Sequence, residues 1–381
     1  MNLFRITPKR LALAFGGLAL LLVVVVFGIG WYYSGQIEDG ALRVKHDPKK
    51  YEVEVVALEE GRVTLRFPSE ENLRKEPRTM GLEWPGGYAR VGETLEVSGN
   101  EALREYAPLE GALAVGDRVR FDKFAYPGDP ERAHGISFEE IRFASPLGDL
   151  AAWQVDGSND TWVIFVHGKG ASRGEALRML PVVYSAGLPS LLITYRNDAG
   201  APEDPSRYYR YGLTEWKDLE AAARYALANG ASDLVVVGYS MGGGIVANFL
   251  YRSPLAERVV GVILDSPMLD FGAIVDLGAQ NRNLPEFLTA VAKIISGFRF
   301  DIDWETLEYA SRFEEISVPV LLFHGDADET VPVRISEMVA ESRSDVVTYV
   351  LFEGAPHVGA WNVDPERYET AVREFLDRVA H

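Results

Sequence analysis

The sequence predicts an α/β protein with a doubly wound, mostly parallel sheet, preceded by an N-terminal transmembrane helix and a small β-rich domain. From about residue 150 onward, apolar β-branched runs alternate with helical patterns, which is typical of a parallel sheet covered on both faces. Residues 51–135 instead hold short alternating segments separated by Gly and Pro, as in an all-β unit. Residues 11–33 carry no charge, and a helix of that length, about 35 Å, crosses a bilayer.

The N-terminal segment is interpreted as an uncleaved anchor. We expect a cytoplasmic tail over residues 1–10, the transmembrane anchor over 11–33 and a linker over 34–50. Basic residues precede the apolar run and acidic ones follow it directly, so the positive-inside rule places the N-terminus in the cytoplasm and the rest of the chain outside. A cleaved signal peptide is the alternative, but the run is long for one and no Ala-x-Ala motif follows it.

Composition excludes several kinds of site and partner. The chain has 381 residues, a formal net charge of -18 and no cysteine. Such an acidic chain is a poor partner for nucleic acid, and we expect none to bind. Without cysteine there are no disulfides, thiol nucleophiles or cysteine-based metal sites.

The two globular parts differ in pattern. We expect residues 51–135 to form the small β-rich domain, which shows no catalytic cluster and is interpreted as a spacer or shield. Residues 136–381 begin with a hairpin and continue with strands near 162–166, 190–195, 234–237, 259–264, 319–323 and 346–352. Ser172 and Glu175 are spaced as a capping box that opens a helix reaching about residue 186.

The second domain centres on the segment Gly238-Tyr-Ser240-Met-Gly242. It lies between a buried strand and a helix and matches G-x-S-x-G. Glycines two residues before and after the serine let strand and helix pass closely, so that the turn exposes the hydroxyl. Ser240 is therefore the predicted nucleophile, and the Met241 backbone N–H is a candidate donor to a developing oxyanion.

A serine nucleophile needs a base, and the base needs an acid to orient it. His357 follows the last strand on a loop free to fold over the sheet edge, and we select it as the base. Asp328 follows the preceding strand and is selected as the acid. Asp326 is the nearest alternative and Asp265 a more distant one.

A second oxyanion donor is expected on the loop after the first parallel strand, His167-Gly-Lys-Gly-Ala171. We assign it to the Lys169 backbone N–H. The Lys169 side chain is expected at the surface, and His167 is expected to be a hydrogen-bonded structural residue.

Residues from about 136 to 381 resemble an α/β-hydrolase. The resemblance rests on His167-Gly-Lys-Gly, Gly238-Tyr-Ser-Met-Gly-Gly, the segment 324–332 and Pro356-His357, in the order Ser, Asp, His that this fold uses. It is similar to the bacterial serine esterase and acyl-hydrolase branch, related to catalytic domains of the prolyl-oligopeptidase type. The resemblance implies acyl transfer to water through an acyl-enzyme, without metal or cofactor.

Two regions are candidates for the substrate pocket. The long loop 195–211 offers Tyr208 and Tyr209, and the insertion 270–316 offers Phe271 and Phe287. The insertion is interpreted either as a cap over Ser240 or as helices packed on the sheet edge. A cap and a membrane anchor would suit a lipid-like or other hydrophobic ester as the partner.

The favoured hypothesis is a membrane-tethered serine ester hydrolase. A peptidase or amidase with the same triad, and a non-catalytic binding protein on a hydrolase fold, are the alternatives. A metal hydrolase built from His167, His324, His357 and Asp328 is more remote, because their spacing matches no metal-ligand motif.

Overall fold

The computed structural model describes residues 8–70 and 78–380. Most of the expected cytoplasmic tail, residues 1–7, and the terminal His381 lie outside the described residues. The chain opens with one long helix, α1 (Pro8–Ile37), which a π-helical turn (Glu38–Leu42) extends. Its segment Phe15–Leu42 is long and apolar enough to cross a membrane. A signal sequence near the N-terminus can meet the same criteria of length and composition.

The β-rich part is a closed, antiparallel six-stranded barrel. Its strands are β1 (Val53–Glu59), β2 (Arg62–Arg66), β3 (Met80–Trp84), β4 (Gly87–Ser98), β5 (Glu101–Glu110) and β6 (Arg118–Asp122). Their order around the barrel is β1-β2-β5-β4-β3-β6. Closure leaves no open sheet edge. Alternate residues fill the interior, among them the fully buried Val55, Val63, Leu82 and Val119.

The second domain alternates strands and helices. In chain order it contains α2 (Pro130–His134), β7 (Glu139–Ser145), β8 (Gly148–Val155), β9 (Thr161–Val166), α3 (Leu180–Ser185), β10 (Ser190–Ile193), α4 (Trp216–Ala228), β11 (Asp233–Tyr239), α5 (Met241–Arg252), β12 (Val259–Asp265), α6 (Phe271–Gln280), α7 (Glu286–Phe300), β13 (Val320–Gly325), α8 (Val333–Ser342), β14 (Val347–Phe352), α9 (Ala360–Val363) and α10 (Pro365–Val379).

Eight strands form one sheet in the order β14-β13-β12-β11-β9-β10-β8-β7. Strands β9 to β14 pair in parallel, whereas β8 pairs antiparallel with both β10 and β7. Every residue of β9 and β13 is buried, because a separate hydrophobic cluster covers each face of the sheet. The predicted fold class, a mostly parallel sheet wound on both sides, is confirmed.

One buried side chain ties the barrel to the second domain. Asn362 in α9 donates to the carbonyl oxygens of Thr79 (2.7 Å) and Lys123 (2.9 Å), and its own backbone carbonyl accepts from the Thr79 amide at 2.9 Å. These bonds satisfy backbone groups at the junction that would otherwise be buried without partners. The barrel is therefore packed against the domain that carries Ser240.

Candidate active site

Ser240 lies at the sharp turn between β11 and α5. Its backbone angles, φ 49° and ψ -116°, are strained for a residue with a side chain. A methyl group on Gly242 would overlap the Val166 carbonyl oxygen, and one on Gly238 would come 2.7 Å from the Gly242 carbonyl oxygen. Both glycines are therefore needed for strand and helix to pass this closely, as their spacing indicated.

The structure brings Ser240, His357 and Asp328 into one hydrogen-bonded series. The distance from Ser240 Oγ to His357 Nε2 is 2.8 Å, and that from His357 Nδ1 to Asp328 Oδ2 is 2.7 Å. An ionised carboxylate only accepts hydrogen bonds, so Nδ1 carries the ring proton and Nε2 is left to accept the serine proton. This arrangement can activate a serine hydroxyl as a nucleophile.

Asp328 is buried and held by several donors. Its Oδ1 accepts from the amides of Thr330 and Val331, each at 2.8 Å, and its Oδ2 lies 3.2 Å from His324 Nε2. Burial opposes ionisation, but the hydrogen bonds from His324 and His357 outweigh it and hold the pKa of the Asp328 carboxyl well below its usual range. The carboxylate is therefore charged and fixed at neutral pH.

Sequence reasoning missed the part played by His324. This histidine is fully buried at the end of β13, and the Ser336 hydroxyl lies 2.7 Å from its Nδ1. Because its Nε2 faces the acceptors Val331 O and Asp328 Oδ2, Nε2 carries the proton and Nδ1 accepts from Ser336. A histidine that ends a buried strand needs a polar partner. The presence of Asp328 four residues later could have indicated that His324 contacts this carboxylate.

The two alternative acids lie elsewhere. Asp326 is exposed and accepts from the Gly354 amide at 2.6 Å. Asp265 is fully buried, accepts from the Tyr368 hydroxyl at 3.1 Å, and has its pKa raised by burial. Asp328 is the acid whose carboxylate meets the His357 ring.

The loop that carries His357 is held under strain. Val358 has φ 54°, which is unfavourable for a β-branched residue. Its amide donates to Ser266 Oγ at 3.1 Å, and its carbonyl accepts from the buried Arg178 at 2.8 Å. These two bonds hold the backbone next to His357, whose Nε2 lies 2.8 Å from Ser240 Oγ.

Two backbone amides beside Ser240 are candidates for an oxyanion hole. Met241 begins α5, and Lys169 follows β9 on a loop so close that a methyl group on Gly168 would come 3.1 Å from Ser240 Cβ. Within residues 8–70 and 78–380, neither amide has a hydrogen-bond acceptor, and both residues line the cavity that contains Ser240. Two such donors can stabilise a negatively charged oxygen.

The predicted capping box at Ser172 and Glu175 is wrong. The segment Arg173–Arg178 is a 3₁₀ helix without a side-chain cap, and the α-helix that follows it is only the short α3. The reason is that the Glu175 carboxylate turns away from Ser172 and accepts a hydrogen bond of 2.8 Å from the Gly168 amide.

Glu175 instead supports the loop of residues 167–171, which we call the oxyanion loop after the candidate donor that it carries. It is buried, with Lys123 at 3.7 Å and Arg178 at 3.9 Å from its carboxylate. Burial opposes ionisation, but these two cations and the Gly168 amide outweigh it and lower the pKa of Glu175. The charged carboxylate thereby fixes the backbone that presents the Lys169 amide.

The surface position expected for the Lys169 side chain is wrong. The side chain is half-buried, and its ammonium donates to the Gly40 carbonyl oxygen at 2.7 Å. This bond joins the oxyanion loop to the turn that follows α1. Burial lowers the pKa of Lys169.

His167 is structural, with Nε2 at 2.8 Å from Asp198 and its ring stacked on Tyr195.

Ser240 opens into a cavity of about 710 Å³. Its walls come from α1, the π-helical turn, the oxyanion loop, α6 and α7, so the insertion 270–316 encloses the serine. The four aromatic residues predicted to bind substrate lie outside this lining. Tyr208 bonds to Glu38, Tyr209 and Phe271 are buried in the core, and Phe287 is 58% exposed because α7 turns other residues inward.

The residues weighed as metal ligands form two separate hydrogen-bonded sets. His167 pairs with Asp198, whereas His324 and His357 share Asp328. In the part of the chain that the structure describes, no group of three or more His, Asp or Glu side chains is arranged to hold a metal ion.

A model of the alpha/beta hydrolase family matches residues 163–371, more than half of the chain. The uncharacterized protein YfhR of Escherichia coli (strain K12) is 23% identical over 272 residues, which cover 68% of this chain and 86% of YfhR. An uncharacterized protein of Mycobacterium tuberculosis (strain ATCC 25618 / H37Rv) is 23% identical over 246 residues, covering 61% of this chain and 76% of that protein.

Among solved structures, the esterase Pf2001 of Pyrococcus furiosus is similar, with a TM-score of 0.54 and 23% identity over 67% of this chain and 97% of the esterase. At this identity the likeness shows the fold alone. The family match and the fold agree with the resemblance inferred from the four motifs, and the chain belongs to the alpha/beta hydrolase family.

Proposed function

We propose that this chain is a membrane-tethered serine hydrolase that cleaves carboxylic esters, with a preference for hydrophobic, lipid-like acyl groups. One observation carries the proposal. Ser240, His357 and Asp328 are joined at 2.8 Å and 2.7 Å, directly beside two backbone amides that are free to bind an oxyanion.

In the acylation step, Ser240 Oγ attacks the ester carbonyl carbon while its proton passes to His357 Nε2. Asp328 orients the ring and stabilises the imidazolium without taking its proton, since the hydrogen bonds from His324 and His357 hold the pKa of this carboxyl well below its usual range. His357 then gives the proton to the leaving alcohol oxygen as the C–O bond breaks. The acyl group remains on Ser240.

The tetrahedral intermediate carries its negative charge on the former carbonyl oxygen. The amides of Met241 and Lys169 donate to this oxygen, and the N-terminus of α5 adds a partial positive charge. Glu175 keeps the Lys169 side of the hole in place through the Gly168 amide. In deacylation, His357 removes a proton from water, the resulting nucleophile attacks the acyl carbon, and the Ser240 oxygen leaves with the proton from His357.

The cavity supports a hydrophobic acyl group as substrate. Its volume of about 710 Å³ lies in the range of small-molecule sites. The apolar side chains of Ile274, Val275, Leu284 and Val331 line it. An acyl chain that fills this space leaves water, which favours binding by about 0.8 kcal/mol per methylene group.

The anchor is part of the same proposal. With the basic residues at its start, α1 would place the N-terminus in the cytoplasm and the catalytic domain outside. Gly30 and Ser34 of α1 are buried in the folded protein, and α1 forms a wall of the cavity. Cleavage of α1 as a signal peptide would open the site, so these contacts support an anchor that is retained.

Nitrophenyl esters of increasing acyl length test the proposal, on the full-length protein in lipid nanodiscs. We expect turnover that rises with acyl length, and a loss of about 10⁴-fold or more in Ser240→Ala. Ser172→Ala, on the loop next to the oxyanion hole, is the matched control and should retain activity. Turnover of anilides without turnover of esters would instead indicate an amidase, and turnover of neither would contradict the proposal.

A further inference from the structure

The C-terminal part of α1 packs closely against α7. A methyl group on Gly30 would come 2.5 Å from a methyl carbon of Val291. One helical turn further along α1, the Ser34 hydroxyl accepts a hydrogen bond from Arg299. The contacts advance in the same direction along both helices, so α7 runs parallel to the end of α1.

Apart from Glu286 at the start of the helix, the exposed residues of α7 are apolar. Phe287, Ile294 and Phe298 are 58%, 61% and 89% exposed, and Ala290 is exposed between them. We call these four residues the apolar stripe. They lie on one side of the helix, whereas Lys293 is turned inward into an ion pair. Large exposed apolar side chains in a continuous patch indicate a surface that something apolar covers.

The N-terminal end of the apolar stripe is level with the apolar part of α1, whereas Phe298 lies about 10 Å beyond Val291, level with the residues that follow Tyr33. Because Val291 faces Gly30, Phe287 lies about 6 Å further toward the middle of the uncharged run, at 1.5 Å per residue. Gly30 itself precedes the aromatic group Trp31-Tyr32-Tyr33, which in an anchor lies at the membrane surface. With α1 across a bilayer, the N-terminal half of α7 is immersed to the depth typical of interfacial helices, about 5–10 Å.

The same two helices enclose the cavity above the serine. Tyr32 and Tyr33 of α1 and Ala292 of α7 line it together with Ser240. The space beside the nucleophile therefore extends to the helices that are level with the membrane surface.

We propose that the ester reaches Ser240 from the bilayer. The apolar stripe from Phe287 to Ile294 enters the bilayer interface, with its N-terminal end among the lipid acyl chains, and a membrane-dissolved ester passes between α1 and α7 into the cavity. The inference rests on the proposed function and names its substrate class, an ester whose acyl chain resides in the membrane. Transfer along this route keeps the acyl chain out of water. The free energy of exposing the chain to water would otherwise grow with its length.

Single fluorescent labels test the immersion directly, since the chain has no cysteine. Phe287→Cys, Ile294→Cys and, as a matched control, Met338→Cys on α8, 47% exposed in the wild type, are labelled with a polarity-sensitive fluorophore. Full-length proteins are placed in phosphatidylcholine vesicles that contain a nitroxide-bearing lipid. We expect blue-shifted emission and quenching by the nitroxide at 287 and 294, and neither at 338.

Labels at 287 and 294 that behave like the label at 338 would overturn the inference. So would a blue shift without lipid quenching that disappears as the protein is diluted in lipid, because a second copy of the chain would then cover the apolar stripe.

An activity comparison separates this inference from the proposed function. In the double variant Phe287→Asp/Ile294→Asp, hydrolysis of a long-chain fluorogenic ester embedded in vesicles should fall about tenfold or more, while that of water-soluble nitrophenyl acetate should stay within about twofold. Met338→Asp should change neither rate. If the wild type cleaves both esters and the double variant does too, the membrane route fails although the proposed function stands. If the wild type cleaves neither, the proposed function fails.

Discussion

At the residue scale, the chemistry depends on which acid meets His357. The chain order Ser, Asp, His predicted an acid between Ser240 and His357 but did not separate Asp328 from Asp326. Two aspartates two residues apart on one turn fit a sequence motif equally well. The structure separates them by their bonds. Asp326 accepts from Gly354, whereas Asp328 is buried and accepts from His357.

The variants Asp328→Asn and Asp326→Asn should therefore differ widely in kcat for nitrophenyl acetate. The Asp328→Asn variant would present an amide to His357 Nδ1 and favour the wrong ring tautomer, so we expect a loss of about 10⁴-fold. Asp326→Asn should retain nearly full activity. The assignment of the acid would be wrong if the two losses were equal or reversed.

The contribution of Glu175 to the stability of the fold should depend on pH. Its pKa is lower in the folded protein than the ordinary value of 4.5. The carboxylate therefore stabilises the fold above about pH 4.5, and this contribution is lost as pH falls through the folded pKa. Glu175→Gln leaves two cations without their carboxylate and should lower the free energy of unfolding at neutral pH by about 1–3 kcal/mol.

Urea unfolding from about pH 7 down to about pH 3.5 checks this expectation. The difference between wild type and Glu175→Gln should be constant at higher pH and shrink below about pH 4.5. Glu140→Gln, which removes a surface partner of Arg173, is the control and should cost less than about 1 kcal/mol at any pH. A difference that stays flat or grows with acid would contradict the role given to Glu175.

At the element scale, the turn between β11 and α5 is the feature that sequence specified best. Its strand is apolar and β-branched, and the two glycines answer a requirement of local geometry alone. A methyl group added at Gly242 would overlap the Val166 carbonyl oxygen on β9, so this turn, which we call the elbow, also depends on how closely α5 packs against β9.

Gly242→Ala should consequently displace the elbow. We expect a loss of stability of about 1–3 kcal/mol from overpacking, together with a fall in kcat, because Ser240 moves relative to His357. Gly174→Ala is the control, since a methyl group there would make only ordinary contacts, the nearest at 3.5 Å. Thermal unfolding and ester turnover measure both effects. Equal behaviour of the two variants would show that the elbow tolerates a side chain.

Other elements could not be predicted from local sequence, because the residues that determine their structure are distant in the chain. Strand β5 places Arg104 inside the barrel, where it donates to the Gly92 carbonyl oxygen, so the strand lacks the apolar alternation that marks its neighbours. The capping box failed for a similar reason. Two of the partners of Glu175 are Gly168 and Lys123, and a local spacing rule does not include them.

At the scale of the whole molecule, α1 is part of the candidate site as well as the predicted anchor. In the π-helical turn after α1, the Gly40 carbonyl oxygen accepts a hydrogen bond from the Lys169 ammonium. Tyr32 and Tyr33 of α1 line the cavity. Sequence predicted the anchor and the catalytic domain as separate units, because hydropathy and motif spacing carry no information on how two segments pack. For the same reason, sequence did not show that the four aromatic residues expected to bind substrate lie outside the cavity lining.

The proposed mechanism requires Ser240 to form a covalent acyl-enzyme with help from His357. The most direct measurement exposes full-length protein in membranes to a fluorophosphonate ester and locates the adduct by peptide mass spectrometry. We predict one adduct on Ser240, none there in Ser240→Ala, and strongly slowed labelling in His357→Ala, while His134→Ala, which alters a histidine outside the site, labels like the wild type. No adduct on Ser240, or equal labelling of His357→Ala and the wild type, would contradict the account.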